Sequence, residues 1–326
     1  MVLVFDYLCG YIYLVCGMKL SVIIPTFNRL ELLQETLECV FGQTRPADEI
    51  IVVDDHSTDD TYEFLIAELA GKVIAIKCKG KGPGAARNTG LQAATGDLIK
   101  FFDSDDLMTR NLFEVQTAFL ENSGESLVYS PYVHFSMENG VMTQRDVILQ
   151  YRPIPKDVSL RDCVSRGFST IIPSMMFRAD FLKQVGQWRI DLSSYEDWDF
   201  LWRVASLVPN PAHTDACMVF YRIHGLQTSI LGVSNTRKAY DKLQCLEQIL
   251  VTPNLSWRER TRLKAELYKT RKLVDRNPSL SLFMEFVLML RRMKSKRERL
   301  HTGTDWEIMY GVEKNNAVYE NFVSLL

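Results

Sequence analysis

Gly96-Asp-Leu-Ile-Lys-Phe-Phe-Asp-Ser-Asp-Asp106 starts at a glycine, runs through a mostly apolar stretch and stops in a cluster of carboxylates. A short apolar run bounded in this way reads as a strand, Asp97 to Phe102, whose C-terminal end opens into a polar loop. Moving upstream, the same unit recurs. Leu20 to Pro25 precedes Thr26-Phe-Asn-Arg29, and Glu49 to Val53 precedes Asp54-Asp-His-Ser57. Between these runs the apolar spacing changes to that of helices: Leu30 to Phe41, Thr61 to Leu69, and Ala85 to Ala94 behind the glycine-rich Gly80 to Gly84. Lys72 to Lys77 supplies one more strand. Strands alternating with amphipathic helices predict a parallel α/β sheet with helices on both faces.

Downstream the periodicity predicts strands at Leu127 to Val133, Val141 to Leu149 and Cys217 to Tyr221. Helices are expected at Leu160 to Arg166, Phe181 to Val185 and Glu196 to Ala205. From Asn235 the pattern is helical, clearest at Trp257 to Leu273 and Leu280 to Met293, with Pro278 between them. These features divide the chain into an apolar extension (1–17), an α/β domain (18–234) and a helical C-terminal region (235–326). The extension carries Asp6 and no preceding basic residue, so it fits neither a secretory signal nor a spanning helix. Met18 is the expected natural start.

Among 326 residues, 47% are hydrophobic and 24% charged, the composition of a chain able to bury a core of its own. The formal net charge of -2 argues against a nucleic-acid binder. The 7 cysteines are scattered singly without ligand spacing and read as reduced thiols in a cytoplasmic protein.

Open parallel sheets bind ligands beyond the C-terminal ends of their strands. Here those ends concentrate Asp54, Asp55, Asp103, Asp105 and Asp106. Like charges a few ångströms apart repel by about 1 kcal/mol or more, and a divalent cation with hard oxygen ligands, Mg²⁺ or Mn²⁺, would neutralise them. The segments Ser21 to Arg29, Ile51 to Asp59, Pro83 to Gly90, Gly96 to Asp106, Tyr195 to Asp199 and Tyr221 to His224 together resemble family 2 glycosyltransferases of the GT-A fold. The resemblance covers about Lys19 to Ser229. It implies a nucleotide-diphospho-sugar transferase fold, a mostly parallel central sheet flanked by helices, with the helical C-terminal extension lying outside the likeness.

Carried onto this chain, the resemblance implies an inverting transfer from a UDP-, GDP- or dTDP-sugar to a glycan or glycolipid hydroxyl. Pro25, Thr26, Phe27, Asn28, Arg29, Asp54, Asp55, Gly84, Arg87, Asn88, Asp103 and Ser104 would bind the nucleotide sugar. Asp105, Asp103, Asp106 and His224 would hold Mn²⁺ or Mg²⁺. Asp197 matches the catalytic base, with Glu196 supporting the acceptor. Plainer readings stand beside these. The Asp103 to Asp106 and Asp54 to Asp59 runs also suit helix caps, Glu196-Asp197 suits a helix N-terminus, and Trp188, Trp198 and Trp202 suit a core.

The alternative functions are a non-catalytic nucleotide-sugar-binding protein and a sugar-nucleotide pyrophosphorylase. Against the latter, Ser21 to Arg29 lacks a basic glycine-rich signature. The basic run Arg291 to Arg299 after apolar Leu282 to Leu290 reads either as a membrane-surface helix, placing the protein peripherally on the inner face, or as a solvated charged face.

Overall fold

The computed structural model describes residues 2–6, 11–15, 17–138, 141–144, 149–150, 152–166, 171–224, 235–274 and 324. Strands β1 (Val2–Asp6) and β2 (Tyr11–Val15) pair antiparallel as a two-stranded sheet of their own, where the sequence suggests a loose extension. The runs that decide the fold follow as β3 (Leu20–Thr26), β4 (Glu49–Asp54), β5 (Ile74–Lys77) and β6 (Leu98–Phe101). All are parallel, in the order β6-β3-β4-β5, so their C-terminal ends share one edge.

Side-chain alternation along these strands builds two cores. Leu20, Val22 and Ile24 join Val52 and Phe102 on one face, while Ile23, Val53, Ile99 and Phe101 fill the other. Helices α1 (Leu30–Phe41), α2 (Thr61–Ala67) and α4 (Leu112–Ser123) contribute Leu33, Leu65 and Phe113 to the first. The second is covered by α3 (Pro83–Ala93), α5 (Leu160–Ser165), α6 (Ala179–Val185) and α7 (Glu196–Leu207), together with α8 (Asn235–Leu250) and α9 (Trp257–Val274). The helical C-terminal region, as far as it is described, therefore packs into the same core as the sheet.

Helix α3 starts with Pro83 after Gly82 at φ 92°, a conformation glycine adopts without penalty. Its Gly90 lies against the sheet so closely that an added Cβ would meet Ile23 Cγ2 at 2.3 Å and Val53 Cγ2 at 3.2 Å. Gly90→Ala is accordingly expected to destabilise the fold by about 1–3 kcal/mol, the usual cost of overpacking. An unchanged denaturant midpoint would contradict this contact.

The expected strand Leu127 to Val133 is two strands in two sheets: β8 (Leu127–Tyr129) and β9 (Tyr132–Glu138). Pro131 lies between them, and having no N–H it cannot continue a ladder. Strand β11 (Met175–Arg178), which periodicity does not reveal, inserts antiparallel between β6 and β8. With β12 (Ala212–His213) the sheet reads β12-β8-β11-β6-β3-β4-β5. A second sheet, β10-β9-β13-β7, uses β7 (Leu107–Met108), β10 (Val141–Gln144) and β13 (Val219–Arg222). Because β13 pairs with β7, which directly follows the acidic loop after β6, it delivers His224 to that loop. The expected helix Leu280 to Met293 and the basic run Arg291 to Arg299 lie outside the described residues. Among the described residues, no helix is long and apolar enough to cross a membrane.

Candidate active site

Loops after β3 and β4 are laced together at the sheet edge. Asn28, at φ 48°, donates its N–H to Ser57 Oγ (2.9 Å) and accepts Thr58 N–H on Oδ1 (2.6 Å). Asp54 is 1% exposed, and both its oxygens accept Ser57 N–H at 3.3 Å. Asp54 thus caps its own turn. Asp55 behaves differently. Its Oδ2 accepts Gly82 N–H at 2.8 Å, while buried Oδ1 has no protein partner. Burial raises its pKa, an effect only partly countered by the Gly82 N–H. A buried carboxylate oxygen without a donor is costly, and a ligand N–H would satisfy it. Half-buried Pro25 lies at the end of β3 and exposed Phe27 just past it, and buried Thr26 Oγ1 also lacks a partner.

After β6 the acidic residues separate by environment. Asp105 Oδ2 receives Arg29 Nη1 at 2.8 Å and lies 3.0 Å from His224 Nε2. Burial opposes ionisation there, but the His224 hydrogen bond and the Arg29 and Arg222 charges prevail and hold the carboxyl below its ordinary range. Asp106 is wholly buried, with Oδ1 accepting Arg222 N–H at 3.0 Å. Burial, reinforced by Asp105 and Asp103, pushes it well above the carboxylate range. The bond of Oδ1 to the backbone of β13 makes Asp106 a strut between the two sheets, while its buried Oδ2 has no protein partner. Buried Ser104 Oγ has no protein partner.

Arg87 on α3 joins this edge to α7. Its Nη2 contacts Asp103 Oδ1 at 3.0 Å, and its Nη1 lies 3.2 Å from Asp197 Oδ1 and 3.5 Å from Glu196 Oε1. The guanidinium also sits 4.6 Å from the centroid of Trp188. Nη1 and Asp197 Oδ1 are close in charge without hydrogen-bond alignment. So engaged, Arg87 organises carboxylates where direct nucleotide contact is expected. Asp197 keeps Oδ1 buried against Arg87, yet half of its side-chain surface is open. Burial pushes its carboxyl up to about 7 against the pull of Arg87, with Glu196 and Asp103 adding repulsion. Both carboxylates start α7, whose N-terminal dipole favours negative charge. The turn before them places Tyr195 at φ 65°.

Two further residues expected at the nucleotide, Asn88 and Gly84, meet the Trp188-Arg189 segment. Asn88 spends its amide on the backbone of Trp188, donating to its carbonyl at 2.9 Å and accepting its N–H at 2.8 Å. Gly84 faces the same segment: a Cβ there would lie 2.6 Å from Arg189 O. Trp188 and Trp202 are core residues, the former stacked on Phe200 at 4.0 Å. Arg222 is the residue to which sequence reasoning assigns no role, although it lies in the quoted segment ending at His224. It donates Nε to Asp105 O at 2.8 Å and pairs with Glu35, fixing the acidic loop from behind.

Among the described residues, no three His, Cys, Asp or Glu side chains form a ready cage for a metal. Asp105 and His224 nevertheless converge, a hard oxygen beside an imidazole nitrogen. That pair suits a cation that takes its remaining ligands from substrate phosphates and water, as Mg²⁺ commonly does. The residues present fit the group.

The family profile described as glycosyl transferase family 2 matches residues 21–186, half of the chain, and so spans both the loops after β3 and β4 and the acidic loop. The chain belongs to glycosyltransferase family 2. An uncharacterized glycosyltransferase of Bacillus subtilis, YwdF, is 34% identical over 193 residues, covering 58% of this chain and 68% of that protein. An uncharacterized glycosyltransferase of Rickettsia felis is 39% identical over 115 residues, which are 35% of this chain but only 19% of that relative's length. The poly(ribitol-phosphate) β-N-acetylglucosaminyltransferase TarS of Staphylococcus aureus is 30% identical over 171 residues, 51% of this chain and 28% of that protein.

The crystal structure of TarS residues 1–349 with UDP-GlcNAc superposes with a TM-score of 0.61 at 22% identity, covering 82% of this chain and 78% of that one. The mannosyltransferase PcManGT of Pyrobaculum calidifontis, solved with GDP-Man and Mn²⁺, superposes with a TM-score of 0.53 at 19% identity, covering 90% and 85%. These likenesses establish the GT-A fold of this family 2 chain.

Proposed function

We propose that this family 2 chain is an inverting, metal-dependent hexosyltransferase that moves a sugar from a nucleotide diphosphate to an acceptor hydroxyl in cell-surface glycan synthesis. The observation that carries the reading is the Arg87 bridge, which brings Asp103 of the acidic loop and Glu196-Asp197 of α7 together around one guanidinium. Asp55 Oδ1 would accept a base N–H beside Phe27. Arg29 supplies positive charge at the acidic loop, where a diphosphate would lie. Asp105 and His224 would hold the cation, with Asp103 adjoining. Bound there, the cation would supply charge neutralisation for the departing diphosphate. Asp197 presents its open side to the acceptor and takes the hydroxyl proton as the oxygen attacks the anomeric carbon, so direct displacement inverts configuration.

The names of the relatives support the donor class: UDP-GlcNAc is bound in the TarS structure and GDP-Man in the PcManGT structure. A polymer or lipid-linked glycan acceptor is supported by TarS and by the Escherichia coli glucosyltransferase WfaP, which acts on a diphosphoundecaprenol-linked sugar and is 36% identical over 115 residues. The basic run Arg291 to Arg299 supports a peripheral station on an anionic membrane, where such an acceptor would lie. The test is nucleoside diphosphate release from UDP-, GDP- and dTDP-sugars with an acceptor panel. Turnover is expected with one donor class, lost on chelation and restored by Mn²⁺. Failure of every donor with saturating Mn²⁺ would defeat the proposal.

A further inference from the structure

Helix α8 lies beyond the residues matched by the family profile, yet one of its faces is committed to the segment leading into α7. Arg237, Asp241, Cys245 and Gln248 recur at helical spacing, and each contacts that segment. Asp241, 1% exposed, accepts Ser193 N–H at 2.9 Å and Ser194 N–H at 3.0 Å on a single oxygen, which also takes the Ser194 hydroxyl at 3.3 Å. Its other oxygen is paired with Arg237 Nε at 2.9 Å. Arg237 Nη2 reaches Asp191 O, Cys245 Sγ reaches Tyr195 O, and Gln248 Oε1 accepts from Arg189 Nη1.

The segment gripped in this way ends in Tyr195, a non-glycine residue in the left-handed region, and in the next two residues, Glu196 and Asp197. Such a conformation persists only when its surroundings over-determine it. At its other end the segment is held by Asn88 and pressed against Gly84 of α3, the helix that carries Arg87.

We infer that Asp241 is a positioning residue: by holding the Ser193 and Ser194 amides it fixes the Tyr195 turn and so the placement of Asp197 against Arg87. The C-terminal helical region is then part of the transfer machinery. This inference rests on Asp197 being the base, and it acts through that residue without touching substrate.

The experiment uses the full chain with Mn²⁺ and UDP-GlcNAc as the probe donor, comparing wild type, Asp241→Ala, Asp241→Asn and Asp197→Asn. Removing both acceptor oxygens should raise amide exchange over residues 190–198 while the remaining core stays protected. It should also lower kcat about 100-fold, the order expected for an ångström-scale misplacement, with donor KM little changed. Asp241→Asn keeps an oxygen for the two amides and should recover most of that loss. Unchanged exchange over 190–198, or a lower melting point with wild-type kcat per folded molecule, overturns the inference. If Asp241→Ala does not fold, Asp241→Leu, which fills the volume but offers no acceptor oxygen, decides the matter: exchange over 190–198 should rise, and an unaltered segment overturns the inference. Wild-type turnover by Asp197→Asn would instead overturn the choice of base. Turnover by no chain, wild type included, would rule out UDP-GlcNAc alone among the donors, and the exchange comparison would still decide what Asp241 holds.

Discussion

Replacing Asp197 by Asn is expected to abolish sugar transfer while leaving nucleotide-sugar affinity nearly intact. The substitution keeps size and most of the packing beside Arg87, and removes the negative charge there together with the capacity to accept a proton. General-base assistance contributes about 10²–10⁴-fold, so kcat should fall by that order. On the proposed reading the donor is held by Asp55 and the acidic loop, which the substitution leaves in place, so its KM should move little. The pH profile provides a second measure. Burial, with Glu196 and Asp103 nearby, pushes the Asp197 carboxyl up to about 7. A base with a raised pKa is protonated and idle below that value, so kcat/KM should decline as pH drops through 7 and level off above it. This limb should be missing from whatever residual activity the Asn variant shows. A variant with wild-type turnover, or one that keeps the limb, would remove Asp197 from the reaction.

How much of this was readable beforehand depends on the range of the interaction. The parallel strands β3 to β6 and helices α1 to α3 were legible because each is a local pattern of apolar spacing closed by turn residues. Strand β11 was not, because Met175 to Arg178 is held by partners on both sides and carries no punctuation of its own. Helix α4 was likewise unread, although Leu112, Phe113, Gln116 and Leu120 recur on its buried face. The acidic loop could be found from its residues, but the division of labour within it could not. Asp105 and Asp106 are neighbours in sequence, and only the pairing of β13 with β7 sends one to Arg29 and His224 and the other to the Arg222 backbone. Asn88 and Gly84 sit in a segment matching the family and look like ligand contacts in one dimension. Only the fold shows that both meet the Trp188-Arg189 segment. Asp241 gives no signal at all in a lone sequence, being an ordinary acidic residue in a helical stretch.

The second large effect is expected from Arg87→Met, which preserves length and apolar contact with Trp188 and deletes the charge. Arg87 is 4% exposed and lies within ion-pair range of Asp103, Glu196 and Asp197. Without it these carboxylates face one another uncompensated. Removing one partner of a buried pair typically costs about 3–5 kcal/mol. The lower end applies here, because Asp197 and Asp103 retain part of their surface in water. Transfer should be lost as well, since the repulsion separates the acidic loop from α7. The pH dependence of the damage separates this cause from simple loss of packing. Asp197 already binds a proton more readily in the folded chain than when unfolded, so its contribution favours folding as pH falls towards 4 and opposes it as pH rises through 7. With Arg87 gone the Asp197 carboxyl must be pushed up further, so the loss continues to higher pH. The variant's stability deficit should therefore be largest above pH 7 and shrink by pH 5, as read from denaturant midpoints at the two values. A deficit independent of pH would mean that Arg87 serves by its shape, and the electrostatic bridge at the centre of the proposed site would lose its basis.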